Sequence, residues 1–259
     1  RDRSPSRGLG DVYKRQNWYF LTHHGTGDWS GRIVSLLPVT WTDGWPLIGK
    51  VLSEQIGTMQ WEGKMPAVVS PKLMLLRSDD FDSEVLGPQW QWNYQPRKDF
   101  FSLSERPGWM RLKAFPPLKE NELLKAGNTL TQRTFRKQDN EVTVKMDIVH
   151  MEDGQRNGIC HFSSSHSALG IVKEGNVCYI EYRQNGHLTK GRQIDRPFVW
   201  FRTCWGMDGK SQYYYSLDGD NFTPFGEPYQ MVWGNYRGDR IGIYCFNDKG
   251  AVSYTHLTL

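Results

Sequence analysis

The chain has 259 residues with 32 basic and 28 acidic side chains, 11 Trp, 12 Tyr and 12 Phe. This length allows one large or two modest domains, each with a sizeable core. No apolar run approaches the ~18 residues that a membrane span needs, and the chain is too aromatic to be disordered. High aromatic content together with 26 Gly and 13 Pro favours an all-β protein.

The charge is concentrated at one end of the chain. Residues 1–16 hold five basic and two acidic side chains, so the body from Asn17 to Ala251 carries a net charge of only +1. A basic surface for nucleic acid or anionic lipid is therefore not indicated.

Both ends match one DNA element. Asp11–Gln16 can be encoded by GATGTGTATAAGAGACAG, and the reverse complement of that string, in a shifted frame, encodes Val252–His256. The two copies in opposite orientation indicate a translated sequencing adapter. Residues 1–16 and 252–259 are therefore predicted to be non-native tails, and the body is predicted to be an internal fragment.

The first block of the body spans residues 17–50. Trp18–Leu21 and Arg32–Trp41 are predicted strands, and Asp43-Gly44 is a turn signal. Two strands cannot bury a core alone, so this block is predicted to be the end of a sheet-based domain. Residues 51–84 show little periodicity and are predicted to be a linker.

Residues 85–251 are strand-like nearly throughout. Apolar residues alternate with polar ones around Val142–Ile148, Cys178–Tyr182 and Ile241–Cys245, which predicts strands with one buried face. Phe198–Cys204 is apolar on both faces and is predicted to be central. Asp218-Gly219 predicts a hairpin turn, and the strand spacing favours a two-sheet sandwich.

Neither the cysteines nor the histidines indicate a metal site. The four cysteines contain no CxxC pair, so buried thiols are expected and a disulfide stays open. His23 and His24 follow the first predicted strand, and adjacent side chains in a strand would point in opposite directions, so the pair gives little support for a metal site. The Gly-rich segment that follows lacks the patterns of dinucleotide and phosphate loops.

Several motifs in order resemble glycoside hydrolase family 43, which includes β-xylosidases and α-L-arabinofuranosidases. The motifs are Trp18-Tyr19-Phe20, residues 23–32, residues 37–46, Ser78-Asp79-Asp80-Phe81, residues 86–93, residues 105–108, residues 128–133 and residues 214–219 followed by Phe222. The motifs before residue 50 resemble the end of the family's five-bladed β-propeller. The later ones resemble its C-terminal concanavalin A-like β-sandwich, here residues 85–251.

The resemblance implies an exo-acting, inverting glycosidase that releases xylose or arabinose from plant hemicellulose such as xylan or arabinoxylan. Inversion needs an acid and a base, and the family adds a third acid; all three are expected upstream of Asn17, so the fragment alone is predicted to be inactive. No cofactor is assigned, although a divalent ion such as calcium lies near the propeller centre in some relatives. Nucleic acid and membrane partners are not expected, and no compartment is assigned.

The resemblance also implies substrate-binding residues. Arg32 lies in a Gly-Arg pair whose guanidinium contacts sugar hydroxyls in related β-xylosidases; pairing with the carboxylate of a neighbouring blade is the alternative. His23, His24 and Trp29 are candidates for the same rim. His166, after three serines, is a candidate for a rim loop that the sandwich contributes.

A second hypothesis makes the sandwich a non-catalytic carbohydrate-binding or scaffolding module. Its exposed rings would stack on sugars, and the candidate residues are Trp90, Trp92, Trp109, Trp200, Trp205 and Trp233. Packing in the core is the competing role for each ring. Because Gly250-Ala251 runs into the predicted tail, the sandwich is also expected to lack a final strand and to be poorly soluble.

Overall fold

The computed structural model describes residues 17–63, 78–234 and 237–250, and the backbone of residues 254–258. The chain divides into two compact units. Of the described residues, the first unit contains 17–26 and 32–63, and the second contains 27–31 and everything from residue 78 onward. The predicted tail of residues 1–16 lies outside the described residues.

The first unit consists of short antiparallel sheets. Its strands are β1 (Trp18–Gly25), β2 (Arg32–Thr42), β3 (Trp45–Ile48), β4 (Lys50–Ser53) and β5 (Ile56–Thr58). Strands β1, β2 and β3 form one sheet and β4 pairs with β5.

The sequence predicted the β2–β3 turn of the first unit but not its β4–β5 hairpin. Asp43 and Gly44 both adopt positive φ between β2 and β3, which confirms the predicted turn. The β4–β5 hairpin, which the sequence pattern did not indicate, falls largely within residues 51–84, the segment predicted to be a linker. Its strands have only three or four residues, too few to produce a readable alternation.

The second unit is built from many more strands. They are β6 (Gln91–Trp92), β7 (Phe101–Ser102), β8 (Met110–Lys113), β9 (Asn128–Arg133), β10 (Asn140–Asp147), β11 (Gln155–Phe162), β12 (His166–Glu174), β13 (Val177–Gln184), β14 (His187–Ile194), β15 (Phe198–Trp205), β16 (Lys210–Ser216), β17 (Thr223–Pro224), β18 (Tyr229–Gln230), β19 (Arg240–Asn247) and β20 (Tyr254–Thr258). Single 3₁₀ turns occur at Lys98–Phe100 and Leu123–Lys125.

These strands form a two-sheet sandwich, as predicted. The eight-stranded sheet has the order β17-β16-β15-β10-β20-β8-β7, with β18 also paired to β16. The seven-stranded sheet has the order β14-β13-β12-β11-β19-β9-β6. The core lies between them, with Val144 and Met146 of β10 facing Ile159 and Ile243 across the interface. No helix among the described residues is long and apolar enough to span a membrane.

Residues 198–204 form a central strand, as predicted, but only one face of that strand is buried in the core. Strand β15 lies between β16 and β10, and its buried and half-buried residues alternate. Val199 and Phe201 enter the core, whereas Phe198 and Trp200 lie on the outward face. The outward aromatic rings made the segment look buried on both faces.

The sandwich also contains a strand where none was expected. The backbone of β20 pairs with β8 from Met110 to Lys113 and with β10 from Lys145 to Asp147. The expectation that the final strand is missing is therefore wrong over this paired length. The adapter origin of residues 252–259 remains a prediction about the DNA.

Candidate functional site

Arg32 and His23 share one face of the sheet in the first unit. Arg32 opens β2 opposite Gly25, and His23 stands opposite Val34. Directly paired residues of an antiparallel ladder project to the same side, and so do residues two apart. Gly25 leaves open space beside Arg32, since a Cβ built there would meet nothing within 4 Å. Arg32 is half-buried and His23 is exposed, so both can reach a ligand on this face.

His24 projects from the opposite face. Its Nδ1 is hydrogen-bonded to Ser35 Oγ at 3.0 Å, and its ring meets the Trp61 ring edge-on at 5.2 Å. The expectation that His23 and His24 line one rim with Arg32 is therefore wrong for His24. Because successive side chains of a strand point to opposite faces, the adjacent residues His23 and His24 cannot lie on the same face of β1.

Trp29 is a core residue of the second unit. Only 4% of it is exposed, and it packs with Trp205, Tyr229 and Met231. Its Nε1 donates a hydrogen bond to the Met207 carbonyl at 3.2 Å. Because the indole of Trp29 is buried in the core, the expectation that Trp29 lines a sugar-binding rim is wrong.

The acid beside Trp29 is a loop residue. Asp28 Oδ1 accepts hydrogen bonds from the Ser30 N–H at 2.9 Å and the Ser30 hydroxyl at 2.6 Å, and Oδ2 lies 3.2 Å from Arg136 Nη2. This is an Asx-type turn closed by an ion pair. Asp43 lies in the β2–β3 turn, so both acids are loop or turn residues.

His166 is buried at the start of β12 and is not exposed on a rim. Its backbone N–H donates to Asn185 Oδ1 at 3.0 Å, and its Nδ1 has no hydrogen-bond partner in the described structure. Burial lowers the pKa of His166 to about 4, with a further contribution from the Arg183 guanidinium. The imidazole is therefore neutral near pH 7 and acts as a core group.

A polar network inside the sandwich escaped prediction. His161 of β11 is fully buried, with Nδ1 2.8 Å from Asp239 Oδ1 and Nε2 3.0 Å from Thr203 Oγ1. Thr203 belongs to β15, so this chain of hydrogen bonds joins the two sheets. Burial raises the pKa of Asp239, and the neighbouring His161 opposes that rise. The partners lie 42 and 78 positions from His161, too far apart for any local motif.

The described residues offer no set of metal ligands. No group of three or more His, Cys, Asp or Glu side chains close enough to hold a metal ion occurs among them. Cys160, Cys178, Cys204 and Cys245 are free thiols. Burial raises the pKa of Cys160, which keeps that thiol protonated. The divalent ion that the resemblance suggests for the propeller is therefore assigned no ligands among the described residues.

The six sandwich tryptophans do not form one platform. Trp90 stacks on Phe81 at 5.7 Å and Trp92 packs on Phe101 at 4.8 Å, while Trp205 is buried. Trp109 and Trp200 lie on the outward face of the eight-stranded sheet, where the Lys145 ammonium sits 5.6 and 5.1 Å from their ring centres. Of the six, Trp233 is the most exposed.

Comparison with known proteins identifies the family. The family model of the β-xylosidase C-terminal concanavalin A-like domain matches residues 78–257. A β-xylosidase of Formosa agariphila is 32% identical over 98% of this chain and 47% of its own length. A non-reducing-end α-L-arabinofuranosidase of Bacteroides ovatus is 42% identical over 32% of this chain and 15% of its own length.

Solved structures agree with these sequences. A bifunctional GH43-CE protein of Bacteroides eggerthii has a TM-score of 0.72 and 26% identity, covering 93% of this chain and 32% of its own. The chain spans about half the length of the β-xylosidase relatives, 47% in one case and 42% in another. This chain belongs to glycoside hydrolase family 43, as a member of its β-xylosidase C-terminal concanavalin A-like domain family.

Proposed function

We propose that the chain is part of an exo-acting, inverting glycoside hydrolase that releases xylose or arabinose from hemicellulose oligosaccharides such as those of xylan and arabinoxylan. The observation that carries this proposal is the 32% identity to a β-xylosidase across 98% of the chain. The arabinofuranosidase relative adds arabinose to the candidate products.

We infer that the catalytic acid and base lie outside the described residues. An inverting glycosidase places a general acid and a general base roughly 6.5–9.5 Å apart, with a water between the base and the sugar. Asp28, Asp43 and Asp79 are held in turns, where their oxygens or backbone serve local structure. We therefore assign the acid, the base and a third, modulating carboxylate to preceding blades of a longer protein.

The first unit exposes apolar surface that supports this assignment. Leu21, Val34 and Leu36 lie exposed on one face of the β1–β2–β3 sheet, and Phe20 and Trp41 lie exposed on the other. A propeller blade packs both faces against neighbouring blades, whereas a sheet in water keeps such faces polar. Both faces of this sheet have the composition expected of a blade.

Arg32 is the residue to which we assign substrate binding, with His23 beside it. A guanidinium presents parallel donors that fit two neighbouring sugar hydroxyls. In the longer enzyme, Arg32→Ala is expected to lower kcat/KM for an aryl β-xyloside about 10- to 100-fold. Loss of hydrogen bonds to a charged group weakens binding by about 1.5–3 kcal/mol, which gives this range.

The matched control is Arg196→Ala, which removes an exposed arginine from the sandwich. Steady-state kinetics of both variants, together with thermal unfolding, separates loss of substrate contact from loss of stability. Unchanged kcat/KM in Arg32→Ala would remove Arg32 from the site and favour the alternative in which it pairs with a carboxylate.

The proposal as a whole is tested first by sequencing the source DNA and then by measuring glycosidase activity. Sequencing outward from the Asn17 codon is expected to show native blades that carry two Asp and one Glu as the catalytic set. The longer protein should then release pentose from aryl β-xylosides or α-L-arabinofuranosides, and the present chain should release none. Activity of the present chain alone would contradict the assignment of the acids.

A further inference from the structure

A short segment of chain before Arg32 belongs to the second unit. Residues 27–31 lie with the sandwich, whereas Arg32 opens β2 in the first unit. The Trp29 indole is buried among sandwich side chains, and Gly209 leaves room for it, since a Cβ at Gly209 would lie 2.5 Å from Trp29 Nε1. The chain therefore leaves the second unit at the peptide bond between Gly31 and Arg32.

Gly31 meets the sandwich backbone to backbone. A Cβ built at Gly31 would lie 2.7 Å from the Gly238 Cα, and one built at Gly238 would lie 2.5 Å from the Trp29 carbonyl oxygen. Cβ atoms of folded proteins do not come that close to backbone atoms. Gly31 also has a φ of +85°, a conformation that residues with a side chain rarely adopt. Two glycines thus allow the backbones of residues 31 and 238 to touch.

The residue after Gly238 is held at three points. The Asp239 N–H donates a hydrogen bond to the Trp29 carbonyl at 2.7 Å, and the Asp239 carbonyl accepts one from Thr134 Oγ1 at 2.6 Å. The Asp239 carboxylate lies 2.8 Å from His161 Nδ1, and both of these side chains are fully buried. A residue bonded through its N–H, its carbonyl and its side chain is a rigid support for the segment that it binds.

The burial of Trp29 does not explain the contact at Gly31. The indole anchors the segment, but Gly31 lies two residues further along, directly before Arg32. What the contact with Gly238 fixes is the backbone from which Arg32 starts. Hydrogen bonds to a substrate act over short distances, so a displacement of about 1 Å can cost about 100-fold in rate.

We propose that Gly238 and Asp239 are positioning residues for Arg32, and that the sandwich thereby sets where the guanidinium meets the sugar. This role rests on the proposed function of Arg32 in substrate binding. The two residues act through the backbone of Trp29 and Gly31 and make no contact with the sugar themselves. The sandwich then contributes to substrate binding by a route other than the stacking of its tryptophans on sugar rings.

A double-mutant cycle in the longer enzyme tests the proposal. Gly238→Ala is expected to lower kcat/KM for an aryl β-xyloside about tenfold, because a Cβ there displaces the Trp29 carbonyl and with it Gly31. In an Arg32→Ala background the same substitution should lower kcat/KM less than about twofold, because the guanidinium that it displaces is already absent.

The matched control is Gly158→Ala in β11. A Cβ at Gly158 would lie 2.6 Å from the Gly170 Cα, so the steric lesion is similar, but the atoms nearest to it belong to Leu169 and Gly170. This variant should lower the thermal unfolding temperature and leave kcat/KM of the folded enzyme unchanged. Thr134→Val is the milder second variant, which removes the hydroxyl that holds the Asp239 carbonyl. It should show the same dependence on Arg32 even where Gly238→Ala does not fold.

The cycle separates failure of this proposal from failure of the proposed function. If Arg32→Ala lowers kcat/KM but Gly238→Ala has no effect, or has an equal effect in both backgrounds, the positioning role is overturned and the function of Arg32 stands. A loss in Gly158→Ala as large as that in Gly238→Ala would also overturn the positioning role. Unchanged kcat/KM in Arg32→Ala would contradict both.

The contact itself is measured in the present chain. Amide hydrogen exchange of Asp239 should be at least about tenfold faster in Gly238→Ala than in Gly158→Ala, because only the former displaces the Trp29 carbonyl that accepts this N–H. Equal exchange of the Asp239 amide in the two variants would overturn the proposal.

Discussion

At the scale of single residues, the second unit contains a buried neutral histidine, His166, close to a buried arginine. His166 faces the Arg183 guanidinium, and Glu122 is the nearby carboxylate that partly opposes its effect on the pKa. Arg183 is itself held by Glu181 at 2.9 Å and by Asn121 Oδ1 at 3.0 Å. Protonated His166 would therefore face a fixed cation in a buried site.

This arrangement predicts a pH-dependent stability. The pKa of His166 is about 4 in the folded chain and near 6.5 when unfolded, so only the unfolded state gains a proton between these values. Stability contributed by neutral His166 is complete above pH 6.5 and is lost as pH falls toward 4. Urea unfolding should show a loss of about 2 kcal/mol between pH 7 and pH 5 from this residue.

The comparison for this experiment is a pair of glutamine variants. His166→Gln should flatten the stability profile between pH 7 and 5, whereas His187→Gln, at an exposed position of β14, should leave it unchanged. An unaltered slope in His166→Gln would show that the residue protonates in the folded state.

Single residues also show how far the site was predictable. The family resemblance suggested a common rim for Arg32 and His23, and the register between β1 and β2, which the sequence does not supply, places them on one face. Trp29 could not be placed, because its partners Trp205 and Tyr229 lie far along the chain. The same distance hid the pair of His161 and Asp239.

At the scale of elements, the turn before β6 shows how one acid organises a strained segment. Phe81 is fully buried although its φ is +50°, a backbone region that bulky residues rarely adopt. Asp79 Oδ1 accepts the Phe81 N–H at 2.9 Å, and its Oδ2 accepts Trp90 Nε1 at 2.6 Å and Gln89 Nε2 at 3.2 Å. One carboxylate thus orients both rings of the Phe81–Trp90 stack.

Removing that carboxylate should destabilise the sandwich. Asp79→Ala is expected to lower the free energy of unfolding by about 2–3 kcal/mol, because three hydrogen bonds are lost and the Trp90 N–H is left without its acceptor. Urea denaturation measures the change. Asp80→Ala removes the exposed neighbouring acid and should change stability by less than about 0.5 kcal/mol. Similar losses in both variants would contradict the role given to Asp79.

Elements were predictable where one face is buried and the other is polar. Strands β10, β13 and β19 coincide with the three alternating stretches. Strand β15 was misinterpreted because a lysine covers its outward rings: Lys145 Nζ lies 4.5 Å from the Phe198 ring centre and 5.1 Å from the Trp200 ring centre. A sequence pattern cannot distinguish a ring covered by a lysine from a ring covered by another sheet.

At the scale of the whole molecule, the exposed apolar faces of the first unit should govern behaviour in solution. Leu21 is 65% exposed and stands opposite Leu36, which is 47% exposed. Side chains of this kind in water favour association between molecules.

The chain is therefore expected to self-associate, and a charged pair should reduce it. Leu21→Lys combined with Leu36→Glu replaces the apolar pair by opposite charges across the ladder. Sedimentation velocity should show that association of this variant requires about tenfold higher protein concentration, since covering one leucine contributes roughly 1.5–3 kcal/mol. Thr40→Lys adds charge at an already polar exposed position and should have little effect. Equal association of all three chains would place the contact elsewhere.

The pentapeptide Gly27–Gly31 determines where the sandwich can be separated from the rest of the chain. It belongs to the second unit, yet the segments on both sides of it belong to the first. Trp29 packs into this unit, and the Asp239 N–H donates to the Trp29 carbonyl at 2.7 Å. A gene segment beginning at residue 76 would leave Trp205, Tyr229 and Met231 without that ring. We therefore expect a chain that begins at residue 76 to form a less stable sandwich than one that also carries Gly27–Gly31.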